Sequence, residues 1–351
     1  MNEQFKVKSE KLKVVLSRLL VAGCCLLFTV CACAPQKKTI FKKSRILMDT
    51  QVTVTVVYGS RDSAEKAIDA AFSEIEKIES LTNFYGAGSE ISLINKNAGI
   101  SVTKVSPEVL EMIGKALYVS EMTDGAFDIT IGAVTRLYDF HKKIKPEEST
   151  LLKNISLVNY RDVSVDRSAS TIFLKKKGMI IDAGGIAKGY AADKAVGVLK
   201  KQGITSGLVA IAGDIKAFGR KPDGKPWQIS IRNPRGTDQD DDIMATLPLS
   251  DMAISTAGDY ERFFLIDGMR YHHILNPKTG YPAGGCRSVT VTARDGVFAD
   301  AFDTGIFVLG PDKGMKVLER LRFDGIIVDS EGKMHFTAGM REKVAIKKPV
   351  S

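Results

Sequence analysis

The chain has 351 residues, of which 44% are apolar and 26% are charged, and its formal net charge is +9. This composition is typical of a folded globular protein and excludes a largely disordered chain. The length allows one large domain or two ordinary ones. No zinc-finger spacing, helix-turn-helix pattern or aromatic-interleaved basic stripe accompanies the modest positive charge, so we predict no nucleic-acid partner.

The first 33 residues differ from the rest. Five lysines and arginines precede an uninterrupted run of 14 apolar and small residues, Leu19 to Ala32. This run is short of the ~20 residues that span a bilayer core. It therefore favours a signal peptide, with an uncleaved membrane anchor as the alternative. The run ends in Val30-Cys31-Ala32-Cys33, which resembles the lipobox of bacterial lipoproteins, so we expect a lipidated Cys33 to begin the mature protein. Val21-Ala22-Gly23-Cys24 also fits the pattern but leaves only five apolar residues after Arg18.

These features predict four segments. Residues 1–33 form the signal peptide with its lipobox, 34–44 a short basic tether, 45–340 the folded domain and 341–351 a basic C-terminal tail. The expected location is outside the cytoplasm, anchored to a bacterial membrane by lipid. Four of the five cysteines lie in the leader, so Cys286 is alone in the body and an internal disulfide is excluded.

Hydrophobic periodicity predicts the elements of the body. Val52, Val54 and Val56 alternate with threonines, as in a half-buried strand. Asp62 and Glu65 form a capping box that opens a helix. The further predictions, in chain order, are a helix from Ser106-Pro107, strand 171–174, helix 186–200, strands 208–211, 227–231, 253–255, 263–266 and 288–292, helices 299–309 and 313–321, and strand 326–328. Because strands and helices are interspersed without a regular βα period, we predict an α+β fold with mixed sheets.

A glycine-rich turn runs from Ile181 to Tyr190, between a strand and a helix. Such a turn leaves backbone N–H groups free and lets a phosphate approach closely. It matches neither the Walker A loop nor the GxGxxG dinucleotide fingerprint. A purely structural strand-to-helix turn is the alternative interpretation.

Asp300, Asp303 and Thr304 stand at i, i+3 and i+4 of a predicted helix, so their oxygens share one face. Two carboxylates and a hydroxyl suit Mg²⁺, which prefers oxygen ligands and shares its shell with substrate phosphates. The alternative is a solvated helix face that carries two acids.

His272 and His273 are adjacent and precede a turn at Asn276-Pro277. On a strand, neighbouring side chains point to opposite faces, so only one of the two histidines can face a given site. A structural histidine beside a turn is the plainer interpretation.

The combination and order of these stretches resemble the ApbE family of FAD:protein FMN transferases, over about residues 45 to 335. The resemblance is carried by Leu47–Thr50, Leu81–Tyr85, Ser89–Asn95, Thr123–Thr130, Asp182–Tyr190 with Asp193, Ala212–Ile215, Ile254–Tyr260, His273–Gly280 and Ala299–Gly305. It implies an ApbE-like flavin transferase fold.

The resemblance also implies residue roles. FAD, as substrate, would contact a set drawn from several blocks: Met48, Tyr85, Ala126, Phe127, Asp128, Asp182, Lys188 and Leu275. Mg²⁺ would be held by Asp300, Asp303 and Thr304, with the backbone carbonyl of Gly185 as a further ligand. His273 is the candidate general base, because it is the histidine that aligns with the family's block.

The implied activity is transfer of FMN from FAD to a threonine or serine hydroxyl of target flavoproteins, with release of AMP. Subunits of membrane redox complexes are the expected targets. An FAD pyrophosphatase that uses water, a non-catalytic FAD-binding lipoprotein and an adhesion or scaffold lipoprotein are the alternatives. The chain departs from the family at Asp49 and Ala212, where glycine is common, at Ala133, where proline is common, and at Asn276, where aspartate is common.

Overall fold

The structure is a computed structural model that describes residues 38–84, 86, 88–236 and 242–347. The predicted signal peptide, Cys33 and Tyr85 lie outside the described residues. Within these ranges, none of the helices combines the length and the apolar character needed to cross a bilayer.

The described helices are α1 (Arg61–Thr82), α2 (Glu90–Lys96), α3 (Pro107–Met122), α4 (Gly132–Thr135), α5 (Glu148–Ile155), α6 (Ala187–Lys201), α7 (Gly296–Leu321) and α8 (Ala338–Lys343). The described strands are β1 (Thr39–Leu47), β2 (Thr50–Tyr58), β3 (Thr103–Lys104), β4 (Val163–Asp166), β5 (Thr171–Leu174), β6 (Gly207–Ile211), β7 (Asp214–Phe218), β8 (Trp227–Arg232), β9 (Ile243–Leu249), β10 (Ala253–Gly258), β11 (Phe263–Ile266), β12 (Met269–His272), β13 (Cys286–Ala293), β14 (Asp324–Asp329), β15 (Met334–Phe336) and β16 (Ala345–Ile346).

One eight-stranded sheet organises the molecule, in the order β1-β2-β6-β7-β10-β13-β14-β15. Its strands pair antiparallel, whereas an isolated bridge between Ile131 and Ile180 is parallel. Smaller sheets form from β3-β5-β4, β16-β9-β8 and β11-β12. The predicted α+β class, with several sheets and interspersed helices, is confirmed.

Two apolar cores lie on the two sides of this sheet. The larger core joins α1, α3, α6 and α7 to the sheet face that includes Val52, Val54 and Val56. The smaller core packs the β8–β9 sheet onto the opposite face, around Trp227 and Val57. Helices therefore cover one face of the sheet and a small sheet covers the other. The N-terminal turns of α6 and α7 lie beside the central strands β7 and β10.

The hairpin β1–β2 changes the predicted domain boundary. Strand β1 begins at Thr39 and pairs with β2 throughout its length, so residues 39–44 are an edge strand rather than a tether. At the other end, α8 crosses the predicted boundary after residue 340, and β16 lies within the predicted tail and pairs with β9. The folded unit thus extends over 39–347 of the described residues.

Two helix predictions also change in detail. Helix α1 begins at Arg61 and uses Ser60, rather than a capping box at Asp62, as its N-cap. The two helices predicted at 299–309 and 313–321 are present within α7, because the chain leaves helical geometry at Gly310, where φ is 77°, before Pro311. The first of them begins earlier than predicted, at Gly296, and this first turn contributes to the site described next.

Candidate active site

The acid-bearing face of α7 is buried. Asp300 is 4% exposed and Asp303 is 2% exposed, so the alternative of a solvated helix face is excluded. The Thr304 hydroxyl donates to Oδ1 of Asp303 at 3.2 Å. The predicted spacing therefore brings two carboxylates and a hydroxyl together inside the protein.

The glycine-rich turn lies against this face. A Cβ atom added to Gly185 would lie 3.4 Å from Oγ1 of Thr304 and 3.3 Å from Cε2 of Phe127, so only a glycine leaves this space free. Asp182 shapes the turn, because its Oδ1 accepts from the Gly184 N–H and its Oδ2 accepts from the Thr135 hydroxyl, both at 2.9 Å. The structure thus places Gly185 next to Thr304, although these two predicted metal ligands lie far apart in the sequence.

Helices α6 and α7 cross in backbone contact just after the turn. A Cβ at Gly189 would lie 2.2 Å from the carbonyl oxygen of Gly296, a distance that no side chain tolerates. At the crossing, the Gly189 N–H donates to Oδ2 of Asp300 at 2.8 Å. The start of α6 therefore orients one of the two acids directly.

Ser255 and Asp214, for which the sequence predicts no role, lie beside the two acids of α7. Asp214, Asp300 and Asp303, with Ser255 and Lys188, form what we call the acidic cluster. The Ser255 hydroxyl contacts Oδ2 of Asp303 at 2.5 Å and also contacts Oδ1 of Asp214. Lys188 Nζ lies 3.3 Å from Oδ2 of Asp214. Both new residues lie in stretches that carry the family resemblance, which was the available signal for them.

The cluster carries more negative than positive charge. Burial, reinforced by the charge of Asp214, raises the pKa of Asp300 to about 7. Burial and the neighbouring Asp300 raise the pKa of Asp303 well above its usual value. The charge of Asp214 raises the pKa of Lys188. The positive charge of Lys188 offsets part of the repulsion between the neighbouring acids. A cation would stabilise the ionised form of the two acids on α7.

The donor set fits Mg²⁺ in its chemistry. All the grouped donors are oxygens, as a hard divalent cation requires. No group of three or more His, Cys, Asp or Glu side chains in the described part of the chain could hold a metal ion. Asp300 and Asp303 would therefore need further oxygen ligands, for which the Thr304 hydroxyl and the carbonyl of Gly185, a residue that packs against Thr304, are the candidates.

The two histidines have different environments. His272 is buried, its Nε2 lies 2.9 Å from the Ala283 carbonyl oxygen, and its Nδ1 accepts from the Ile274 N–H. His273 follows the end of β12, and its Nδ1 is buried without a hydrogen-bond partner in the described residues. Burial, with the positive charge of Arg262, lowers the pKa of His273 to about 3. His273 is therefore neutral at physiological pH and has an unused ring nitrogen.

The residues expected to contact FAD separate into two groups. Phe127 lies beside Gly185, and Asp182 shapes the same turn. Ala126 precedes Phe127 and is also buried. Met48 instead lies in the β1–β2 turn, where its N–H donates to Glu79 at 2.8 Å.

Asp128 and Leu275 have structural contacts of their own. Asp128 accepts from the N–H and the hydroxyl of Thr130 and from the N–H of Tyr160, so both its oxygens are engaged. Leu275 packs in a small apolar cluster with Tyr138 and Phe264. Neither residue takes part in the hydrogen bonds of the acidic cluster.

The departures from the family have local explanations. Asp49 and Ala212 both have left-handed backbone conformations, with φ of 57° and 52°, where glycine carries less strain. The Asn276 side chain accepts from the Lys278 N–H at 2.9 Å and so shapes the turn after the histidines. An aspartate could make the same contact, so this substitution keeps the turn.

Solved structures share this fold. The apbe protein from Thermotoga maritima msb8 matches with a TM-score of 0.81 and 31% identity, over 87% of this chain and 99% of that one. Pseudomonas stutzeri flavinyl transferase ApbE, in its apo form, matches with a TM-score of 0.77 and 29% identity, over 87% and 97%. The fold and the site together define this chain as a flavin transferase.

Sequence comparisons identify the family. The model of the ApbE family matches residues 48–327. FAD:protein FMN transferase of Treponema pallidum (strain Nichols) is 30% identical over 342 residues, which cover 92% of this chain and 94% of that protein. A protein of the same name from Klebsiella pneumoniae (strain 342) is 31% identical over 82% of this chain and 89% of its own length. The chain belongs to the ApbE family, and the predicted resemblance is confirmed.

Proposed function

We propose that this protein transfers FMN from FAD to a threonine or serine hydroxyl of other proteins, in a Mg²⁺-dependent reaction that releases AMP. The observation that carries the proposal is the buried face of Asp300, Asp303 and Thr304, which packs against the glycine-rich turn at Gly185. Membership of the ApbE family and the names of its curated relatives support the flavin chemistry.

In the proposed reaction, the acceptor oxygen bonds to the phosphorus on the riboflavin side of FAD. The bond from this phosphorus to the AMP oxygen breaks, so FMN stays on the acceptor as a phosphoester. Mg²⁺ held by Asp300, Asp303, Thr304 and the Gly185 carbonyl would supply a Lewis acid for the pyrophosphate. Lys188 adds positive charge beside the two phosphates.

His273 accepts the proton of the acceptor hydroxyl in this proposal. Its Nδ1 has no partner among the described residues, and its low pKa keeps the ring neutral and able to accept. The positive charges of Arg262 and Lys188 contribute to that low pKa. An anionic substrate bound beside these residues opposes their charge and raises the pKa of His273, which strengthens the base when FAD is present.

We propose further that the protein is exported and tethered to a bacterial membrane through lipid on Cys33. The support is the 14-residue apolar run that ends at Ala32 and the sequence Val30-Cys31-Ala32-Cys33. Replacing Cys33 with serine is expected to release the protein from membranes. A variant that stays membrane-bound and keeps its leader contradicts this part of the proposal.

The acceptors are proposed to be flavoproteins that carry a threonine or serine in an accessible segment, with subunits of membrane redox complexes as the first candidates. The test is mass spectrometry of such an acceptor after incubation with this protein, FAD and Mg²⁺. The expected result is an acceptor that gains one FMN, with one AMP released for each FMN attached.

Two other outcomes would replace this proposal. Free FMN and AMP without a modified acceptor would indicate an FAD pyrophosphatase in which water attacks. Bound but intact FAD would indicate a flavin-binding lipoprotein without catalysis. A purified protein that binds no flavin would leave only a scaffold or adhesion role.

A further inference from the structure

The first turn of α7 is capped by a residue of another helix. Asp295, which directly precedes the helix, makes no capping hydrogen bond with its side chain. Asp193 of α6 serves instead: its Oδ1 accepts from the Gly296 N–H at 2.8 Å and its Oδ2 accepts from the Val297 N–H at 3.0 Å. One carboxylate therefore satisfies two N–H groups that an uncapped helix would leave without partners.

This contact lies one helical turn from the acidic cluster on both helices. Asp193 follows Gly189 by four residues on α6, and Asp300 follows Gly296 by four residues on α7. The Gly189 N–H donates to Asp300, and the Asp193 carboxylate accepts from Gly296. Two hydrogen-bonded points on the same helix faces fix both the distance and the rotation of α7 relative to α6.

Lys216 ties the same contact to the central sheet. Its Nζ lies 3.5 Å from Oδ1 of Asp193 and donates to the carbonyl oxygen of Arg294, just before α7. Lys216 is buried and belongs to β7, the strand that begins with Asp214. The half-buried carboxylate of Asp193 is thereby paired with a buried lysine, and α6, α7 and β7 are joined at one place.

We propose that Asp193 is a positioning residue for the metal-binding face of α7, acting through the α7 backbone rather than by contact with the metal or FAD. The inference rests on the proposed Mg²⁺ site. Rotation or translation of α7 would move Asp300, Asp303 and Thr304 away from Gly185. Mg²⁺ tolerates departures from octahedral geometry poorly, so a small displacement weakens its binding.

The experiment measures Mg²⁺ affinity by calorimetry with FAD present, together with the free energy of unfolding in EDTA. The variants are Asp193→Ala and Asp193→Asn in the full-length chain. We expect Asp193→Ala to weaken Mg²⁺ binding about tenfold, the lower end of the ~10–100-fold typical of residues that support metal ligands. Asp193→Asn keeps one acceptor oxygen and should fall between the wild type and the alanine variant.

Thr337→Ala is the matched control. The Thr337 hydroxyl also accepts from two backbone N–H groups, those of Met340 and Gly325, and it caps α8. This variant should lose comparable stability while its Mg²⁺ affinity stays at the wild-type value. A purely structural role for Asp193 predicts the same pattern in both alanine variants.

The outcomes separate the inference from the proposed function. Wild-type Mg²⁺ affinity in folded Asp193→Ala or Asp193→Asn overturns the inference alone, whatever the loss of stability. If the alanine variant does not fold, the asparagine variant decides. A wild-type protein that binds no Mg²⁺ in the presence of FAD overturns the proposed metal site, and the inference with it.

Discussion

The turn around Asp128 and the α7 face around Asp303 both bury carboxylates, but they satisfy them differently. Asp128 receives three hydrogen bonds from neutral donors of Thr130 and Tyr160. Asp303 lies beside Asp300, and one of its two hydroxyl contacts, Ser255, is shared with a third acid, Asp214. Neutral donors within the protein satisfy both oxygens of Asp128, whereas Asp303 lies among other acids.

The two histidines repeat this contrast. Both ring nitrogens of His272 face backbone partners, while Nδ1 of His273 has none among the described residues. Buried polar groups in folded proteins nearly always have partners, so the exceptions call for a ligand or a reaction. The contacts of Asp128 and His272 are those of residues that support the fold, whereas Asp303 and His273 are the residues that we propose for the chemistry.

The largest expected effect is at Asp303. Asp303→Asn removes a charged ligand, so Mg²⁺-dependent FAD binding and FMN transfer should each fall more than about 100-fold, beyond the usual effect of outer-shell residues. In EDTA the same change removes an acid whose ionised form is costly to bury beside Asp300, so the free energy of unfolding should rise by about 1 kcal/mol. Calorimetry and urea unfolding measure the two effects.

Asp312→Asn is the control for charge alone, because Asp312 is exposed and lies on the same helix beyond its bend. Asp312→Asn should change neither the Mg²⁺-dependent binding of FAD nor the free energy of unfolding in EDTA. An Asp303→Asn variant that binds Mg²⁺ normally, or that loses stability in EDTA, would mean that Asp303 supports the fold as Asp128 does.

The next effect is at His273. His273→Ala should lower FMN transfer by about 10²–10⁴-fold, as expected for loss of a general base, while FAD affinity stays close to the wild-type value. Raising the pH should restore part of the rate, because hydroxide replaces the missing base. Transfer to a threonine peptide between pH 6 and 10 measures this.

His272→Ala should behave in the opposite way. It leaves buried backbone groups of Ile274 and Ala283 without partners, at a cost of about 1–3 kcal/mol of stability. The molecules that fold should transfer FMN at near-normal rates. Near-normal turnover of His273→Ala would show that the base lies elsewhere, with Asp182 as the next candidate.

The effect expected at Asp128 is on stability and not on catalysis. Asp128→Ala leaves the N–H groups of Thr130 and Tyr160 unsatisfied, and we expect the free energy of unfolding to fall by about 2–3 kcal/mol. Added Mg²⁺ should not restore it. Loss of FAD binding without loss of stability would instead mean that the Asp128 side chain contacts the substrate, as the family resemblance implies.

Local patterns predicted much of the fold. The alternation of Val52, Val54 and Val56 indicated β2, and Ser106-Pro107 marked the start of α3. Strand β1 was missed because its polar and basic residues resemble a tether. Its strand character comes from pairing with β2 and from ion pairs such as Arg45 with Asp69 on α1, which are tertiary contacts.

The same limit applies to the site. Asp300, Asp303 and Thr304 share a helix face because of spacing alone, so the sequence predicts them together. The partners that complete the site are far away in the chain: Ser255 lies 41 residues from Asp214 and 48 from Asp303, and Asp193 lies 103 residues from Gly296. No local pattern encodes such contacts, and only the stretches that carry the family resemblance, which include Asp214, Ser255 and Asp193, pointed to these residues.

The smallest expected effect concerns pH. The folded-state pKa of His273, about 3, lies below the 6.5 of an unfolded histidine, so the unfolded state binds more protons between these values. Stability should therefore fall as the pH drops below 6.5. One proton contributes at most about 2 kcal/mol between pH 6.5 and 5. Since the side chain is half-buried, we expect about 1 kcal/mol. Urea unfolding of the wild type and His273→Gln at both pH values measures it: the wild type should lose about 1 kcal/mol more than the variant, which keeps His272. Equal losses of stability in the two proteins would mean that the ring of His273 has partners within the fold, as the ring of His272 has.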